Sequence, residues 1–364
     1  MTADPPVDAR PERPRVDLFL LAGTFPGADH AATLGHAVDY AVAAETAGFD
    51  GVWLAEHHFI SYGVCPSATT LAGFLLGRTT RIRVGTAAAI LPNRHPVALA
   101  EEAALLDAVS GGRFDLGVAR GGPWVDLEVF GTGLDRHTTG FPESLDLLLD
   151  ALSGRPTVAG SGPVHRFRQV AMVPRPSRPL PVWVAATSAP TVDLAARRGL
   201  PLLLGMHVDD AAKAATLDRY ARTAVVTGAR REVRGAGRDA TAAEHVSAHL
   251  AYVADTVAEA EKEVRDTLPG WLARTREYVR IDGSPPAHRD LDAYLDHLLA
   301  IHPVGPPDHC VSRLTGTLAA TGARRLMLVV EAAGHPDRTL EIIRRLGAEV
   351  LPHLAVPGRG SGPV

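Results

Sequence analysis

The chain has 364 residues, 46% hydrophobic and 21% charged, with a formal net charge of −4, an ordinary balance for a globular protein. That balance gives no basic footprint for nucleic acid or an anionic membrane surface, and no apolar run is long enough to read as a membrane-spanning helix. Two cysteines, Cys65 and Cys310, in no CxxC or zinc-like spacing, imply no disulfide framework and no metal site.

The N-terminus carries four prolines before Arg15 and lacks the apolar core of a signal peptide, so residues 1–15 are expected to be a disordered tail and the protein cytoplasmic. From Val16 the apolar runs alternate with helical segments. Val16–Ala22 reads as a first strand, and 30–47, with Ala, Leu and Val at three and four spacing, as a helix closed by Gly48. Strand two is 51–55, followed by a helix over 67–77. Strand three is 82–90, followed by a helix over 96–109 that Ser110-Gly111-Gly112 stops. Strand four is 114–119, then a loop over 121–139 and a helix over 142–152. Residues 153–179, rich in Pro, Gly and Arg, read as an irregular excursion. Strands five and six (181–186, 202–206) precede helices over 191–198 and 210–226. Strand seven (245–254) precedes a helix over 257–274. A second polar, Pro-rich excursion spans 275–305. A helix over 308–321, strand eight at 326–330 and a helix over 338–351 follow, with 356–364 as a disordered tail.

Eight strands alternating with helices predict an α/β fold, a (β/α)8 barrel occupying 16–355 as one domain. A doubly wound dinucleotide fold would show G-x-G-x-x-G after an early strand, and none is present. In a barrel, chemistry sits at the carboxyl ends of the strands. Those ends supply Glu56, His57 and His58 after strand two, Gly85 to Ala89 in strand three, Arg120 after strand four and Thr187 with Ser188 after strand five. Met206 with His207 and Glu331 follow strands six and eight.

Arg120 offers a planar fork of donors, and Ser188 and Thr191 flank a helix start with Pro190 between them, a suitable place for a phosphate. The alternative is a helix cap and a surface Arg. Adjacent histidines on an extended chain point opposite ways, so His57 and His58 do not readily share one metal ion. An acid/base role suits one of them, His57, with His58 structural. His95 reads as a turn or capping residue. A nucleophilic Cys65 would need an adjacent base.

Taken together, Val52-Trp53-Leu54-Ala55-Glu56-His57-His58-Phe59, Val84-Gly85-Thr86-Ala87-Ala88-Ala89-Ile90-Leu91-Pro92 with His95-Pro96-Val97, and Leu106-Asp107-Ala108-Val109-Ser110-Gly111-Gly112-Arg113-Phe114 resemble the bacterial luciferase-like, flavin-dependent monooxygenases. Val129-Phe130-Gly131-Thr132 and Ile301-His302-Pro303-Val304-Gly305 also look like the luciferase α-subunit pattern, and the resemblance runs from Val16 to Leu354. It implies a luciferase-like barrel binding reduced FMN, supplied by a separate flavin reductase. The flavin reacts with O2 to a hydroperoxide that oxygenates an organic substrate.

Carried over residue by residue, the resemblance makes His57 the catalytic acid/base. It places a non-prolyl cis peptide behind the flavin at Ala87–Ala88 and assigns the phosphate to Arg120, Ser188 and Thr191. Three positions depart from luciferase. Ala119 stands where it has a reactive Cys, Thr187 replaces a Glu, and Thr138 replaces a second phosphate Arg for which nearby Arg136 is a candidate substitute. The lid, about 274–299, is shorter, which shifts the expectation from a long-chain aldehyde to an apolar or aromatic substrate, in secondary metabolism or antibiotic biosynthesis. A homodimer is implied. An F420-dependent oxidoreductase on the same barrel and a flavin-binding relative without turnover are the alternatives.

Overall fold

Eight short strands carry the apolar runs: β1 (Arg15–Leu20), β2 (Gly51–Leu54), β3 (Arg83–Thr86), β4 (Phe114–Ala119), β5 (Val182–Ala185), β6 (Leu202–Leu204), β7 (Val246–Leu250) and β8 (Arg325–Val329). Every neighbouring pair is parallel, and β8 pairs with β1, with Asp17 beside Met327. The ring is therefore closed, a parallel eight-stranded barrel sheathed by helices. The computed structural model describes residues 13–356 except Pro26, Pro123, Pro179 and the segments 227–244 and 278–289. Most of the two expected tails, and the middle of the expected excursion at 275–305, lie outside the described residues.

The helices start and stop where local chemistry dictates. In α1 (His30–Ala47) the Asp29 carboxylate accepts the amides of Ala31 and Ala32, and Gly48 closes the helix at φ 88°, a conformation that suits glycine. Ser67 caps α2 (Ala68–Arg78), and the His95 ring nitrogen caps α3 (Pro96–Val109). The capping expectation for His95 thus holds.

Register decides what faces inward. Trp53 on β2 and Trp183 on β5 meet edge to face at 5.5 Å across the barrel, and the Arg325 guanidinium lies over both rings. Arg325 bonds Asp17 at 2.5 Å and Asp115 at 2.9 Å, which places a buried ion-pair layer at the amino end of the strands. Gly117 is fixed by crowding, since a Cβ there would lie 2.1 Å from the Thr86 carbonyl oxygen.

Five stretches differ from the sequence expectation, the first being the expected loop at 121–139, which contains the short helices Trp124–Val129 and Gly133–Thr138. The third strand is broken at Ala87–Ala88 and resumes only at Ala89–Ile90. The seventh leaves the barrel after Leu250, and Tyr252–Val253 pairs instead with Val304–Gly305. The excursion at 153–179 contains an antiparallel hairpin, Thr157–Ser161 with Arg166–Ala171. The part of the second excursion that is described contains a helix, Leu291–Ile301, capped by Asp290. Its amphipathic Leu spacing was masked by polar, Pro-rich neighbours. Among the described residues no helix is long and apolar enough to cross a membrane.

Candidate functional site

The carboxyl mouth of the barrel is lined by small residues. Ala87, Ala119, Ala185 and Gly205, at the ends of strands three to six, are half-buried and carry no bulk into the opening. The peptide between Ala87 and Ala88 is cis, as the sequence expectation had it.

Glu56 organises the wall beside it. Its carboxylate accepts the amides of Ala68, at the start of α2, and Ile90, just past the cis peptide, and pairs with Arg94. Burial opposes ionisation, yet His58, Arg94 and those two amides together hold the Glu56 carboxyl below its usual range. His58 lies 3.5 Å from the same carboxylate and packs edge-on against Phe130, which makes it a structural partner of Glu56.

His57 points elsewhere. Its Nδ1 is sealed from solvent and has no hydrogen-bond partner. Gly63 leaves room for it, because a Cβ at 63 would approach Nδ1 and the Leu21 carbonyl oxygen to 2.6 Å each. Burial first, then the neighbouring His58, depress the His57 pKa to about 4, against a weaker opposing pull from Glu56. The ring is thus a neutral imidazole at pH 7, with an unengaged nitrogen.

An aromatic wall stands next to it. Tyr62 meets His57 edge-on at 5.3 Å and stacks on Trp271 at 4.2 Å, and Phe25 stacks on the same indole. Trp271 belongs to the helix Val257–Leu272, and its Nε1 donates to the Tyr62 carbonyl. Sequence reasoning missed this wall, because it joins residues some 200 positions apart; two aromatics in segments facing one mouth were the available signal. Cys65 is buried, its thiol pushed up to about 11 by burial, and its carbonyl accepts the His57 amide. That is a structural role.

On the opposite rim Arg120 donates through Nη2 to Thr191 Oγ1 at 3.1 Å, and Ser188 Oγ lies 3.0 Å from the same hydroxyl. Arg120 Nε is buried without a partner, and the guanidinium lies over the Phe141 ring. Burial pulls the Arg120 pKa down. Ser188 begins the helix Ala189–Arg197 without spending its hydroxyl on a capping bond. A cation penalised by burial, two convergent hydroxyls and a helix start make a cradle fit for a phosphate.

The remaining candidates divide. Thr187 is exposed beside Ser188. Thr138 is exposed and bonds the Leu134 carbonyl of its own short helix, Gly133–Thr138. Arg136 does not join the cradle. Its charge acts on His95 and His165, on the other side of that helix. His137, which the sequence did not single out, takes the near side, with Nε2 3.3 Å from the Gly121 carbonyl and its pKa lowered by burial and by Arg120. The segment was read as loop, so no helical phase was available to separate 136 from 137.

Among known proteins, the alkanal monooxygenase alpha chain of the Kryptophanaron alfredi symbiont is 29% identical over 92% of this chain and 97% of that relative. Among solved structures, the monooxygenase RslO1 of Streptomyces bottropensis superposes with a TM-score of 0.78 at 23% identity, over 93% of this chain and 99% of its own. The oxygenating constituent of 3,6-diketocamphane monooxygenase from Pseudomonas putida, a type II Baeyer-Villiger enzyme in complex with FMN, gives 0.74 at 20% identity, over 95% and 100%. An F420-dependent secondary alcohol dehydrogenase gives 0.71 at 14%, over 94% and 99%. At these identities the structures speak for the fold. The luciferase-like monooxygenase profile matches residues 15–325, and the chain belongs to that family.

Proposed function

We propose that the protein is an FMN-dependent monooxygenase that uses O2 and reduced FMN delivered by a separate reductase to oxygenate an apolar or aromatic substrate. The observation that carries this reading is Arg120, a half-buried arginine with a buried, unpartnered Nε that converges with Ser188 and Thr191 on the rim of a mouth lined by alanines. Those three residues hold the phosphate, with Thr187 at the edge. Ala87, Ala88, Ala119 and Ala185 leave the space a flat ring needs. When bound and reduced, the flavin supplies the electrons that activate O2 for transfer of one oxygen atom.

His57 supplies the proton chemistry. Its neutral ring exchanges a proton through Nε2, the ring nitrogen that is not sealed behind Gly63, beside the wall formed by Tyr62, Trp271 and Phe25. The same wall excludes water and favours apolar or aromatic substrates. Exposed apolar side chains on α2 and α3 (Phe74, Leu105 and Val109) support a homodimer through these helices.

The test is anaerobic titration with photoreduced FMN, followed by exposure to 18O2 and product analysis on candidate substrates. The expected result is incorporation of one 18O atom. Arg120→Ala should weaken FMN at least about tenfold while changing riboflavin little, since only FMN carries the phosphate. Hydride exchange with reduced F420 and no reaction with reduced FMN would transfer the assignment to the deazaflavin reading.

A further inference from the structure

A cavity of about 490 Å3 opens outside the barrel mouth, between the start of α3, the tip of the 157–171 hairpin and the short helix Gly133–Thr138. His95, Arg136, His165, Arg166 and Phe167 line it, with Glu101 as its one carboxylate. We propose that this cavity is a second anion site, taking a phosphate or carboxylate carried on an apolar body.

The walls are preformed. The Glu143 carboxylate accepts the amides of Val164 and His165, and Ser144 Oγ lies 2.9 Å from His165 Nε2, so the hairpin tip is tied to the first turn of the helix Gly140–Ala151. His95 and His165 meet edge-on at 5.0 Å. His95 Nδ1 accepts the Val97 amide, which leaves the proton of the neutral ring on Nε2, a donor.

The charge balance is unfinished. Arg136 makes no ion pair or hydrogen bond among the described residues. Two guanidiniums face one carboxylate, and the Arg136 field, after burial, helps lower both histidines; only Glu101 for His95 and Glu143 for His165 oppose it. An anion seated on Arg136 reverses that field and gives the histidines an acceptor. Phe167 and Val164 offer apolar surface for the rest of the ligand. The site is separate from the Arg120 cradle, because Arg136 and His137 leave the short helix toward different neighbours.

The test uses the full-length protein with phenyl phosphate, inorganic phosphate as its bare counterpart, calorimetry, and NMR of the imidazole protons. Arg120→Ala silences the first cradle. On that background phenyl phosphate should still bind one to one, move the His95 and His165 resonances and raise both of their pKa values. Adding Arg136→Ala should weaken it about tenfold or more, with Arg136→Lys between the two. Phe167→Ala should erase the preference for phenyl phosphate over phosphate. Loss of all binding in Arg120→Ala, or unchanged affinity and histidine shifts in an Arg136→Ala protein that melts like its parent, overturns the proposal. The flavin reading stands or falls separately, on FMN affinity in Arg120→Ala.

Discussion

Glu331, at the end of β8, receives the Leu21 amide on one carboxylate oxygen and the Gly23 amide on the other. Between them Ala22 adopts φ 48°, a conformation that disfavours a side chain, and the carboxylate fixes both of its flanks. Glu331→Gln must turn an NH2 group toward one of two amide donors. It should cost about 1–3 kcal/mol in urea denaturation, and an unchanged midpoint would remove Glu331 from this role. Gly63 makes the opposite kind of demand. Gly63→Ala drives a methyl into His57 Nδ1, so turnover should collapse while the barrel still folds, as judged by circular dichroism. His57→Ala should keep reduced-FMN affinity within about threefold and lose most turnover, about 100-fold or more, in line with the contribution of a single acid/base group. Unimpaired turnover would show that His57 carries no proton.

At the scale of elements, the helix Val257–Leu272 is where the structure departs most usefully from a plain barrel. It packs against the turn at Glu331–Ala333 and reaches the loop after β2 through Trp271, and the turn that follows it, Ala273–Glu277, adds Arg274, which donates to Ser61. Trp271 is 3% exposed, so Trp271→Ala opens a large cavity and should cost about 3–5 kcal/mol. Hydrogen exchange should quicken over 57–65 before it does in the barrel strands. Uniform exchange across both would deny that this helix holds the His57 loop.

The same element marks the limit of what the sequence conveys. The strand ends were legible, because buried parallel strands are short apolar runs with polar residues immediately after them. This placed Glu56, His57 and Arg120, and placed Ser188 with Thr191. The cis peptide came from family resemblance. The Tyr62–Trp271 contact and the divergence of Arg136 from His137 were not legible. The first depends on how a distant helix crosses the mouth, the second on the phase of a helix one and a half turns long.

At the scale of the whole molecule, the buried histidines set a pH dependence. Burial depresses His57 and His245 to about 4 and His302 to about 3. The unfolded chain binds protons at these sites below about 6.5, and the folded chain refuses them, so stability should fall as pH drops from about 6.5 toward 4. Glu331, raised to about 7 by burial against the pull of the amides it accepts, acts in the opposite sense, its contribution being lost as pH rises through 7. Burial also lowers His95, His137, His165 and His249, and raises the carboxyls of Asp17, Asp107 and Asp126. The histidines outnumber the carboxyls, so the urea midpoint should be lower at pH 5 than at pH 7. An equal or higher midpoint at pH 5 would show that these rings are not buried in neutral form.

The ion-pair layer at the amino end of the barrel bears on how the chain is made. Asp17 and Asp115 lie on strands synthesised early, and Arg325, which pairs with both, opens the last strand. A nascent chain that ends before Arg325 keeps Arg83 beside Asp115 but would have to bury Asp17 without its cation, and removing one partner of a buried pair is strongly unfavourable. Closure of the ring is therefore expected only when translation is nearly complete. The cost of premature closure favours a late, concerted assembly over strand-by-strand growth, and a chain truncated before β8 should remain expanded and sensitive to protease.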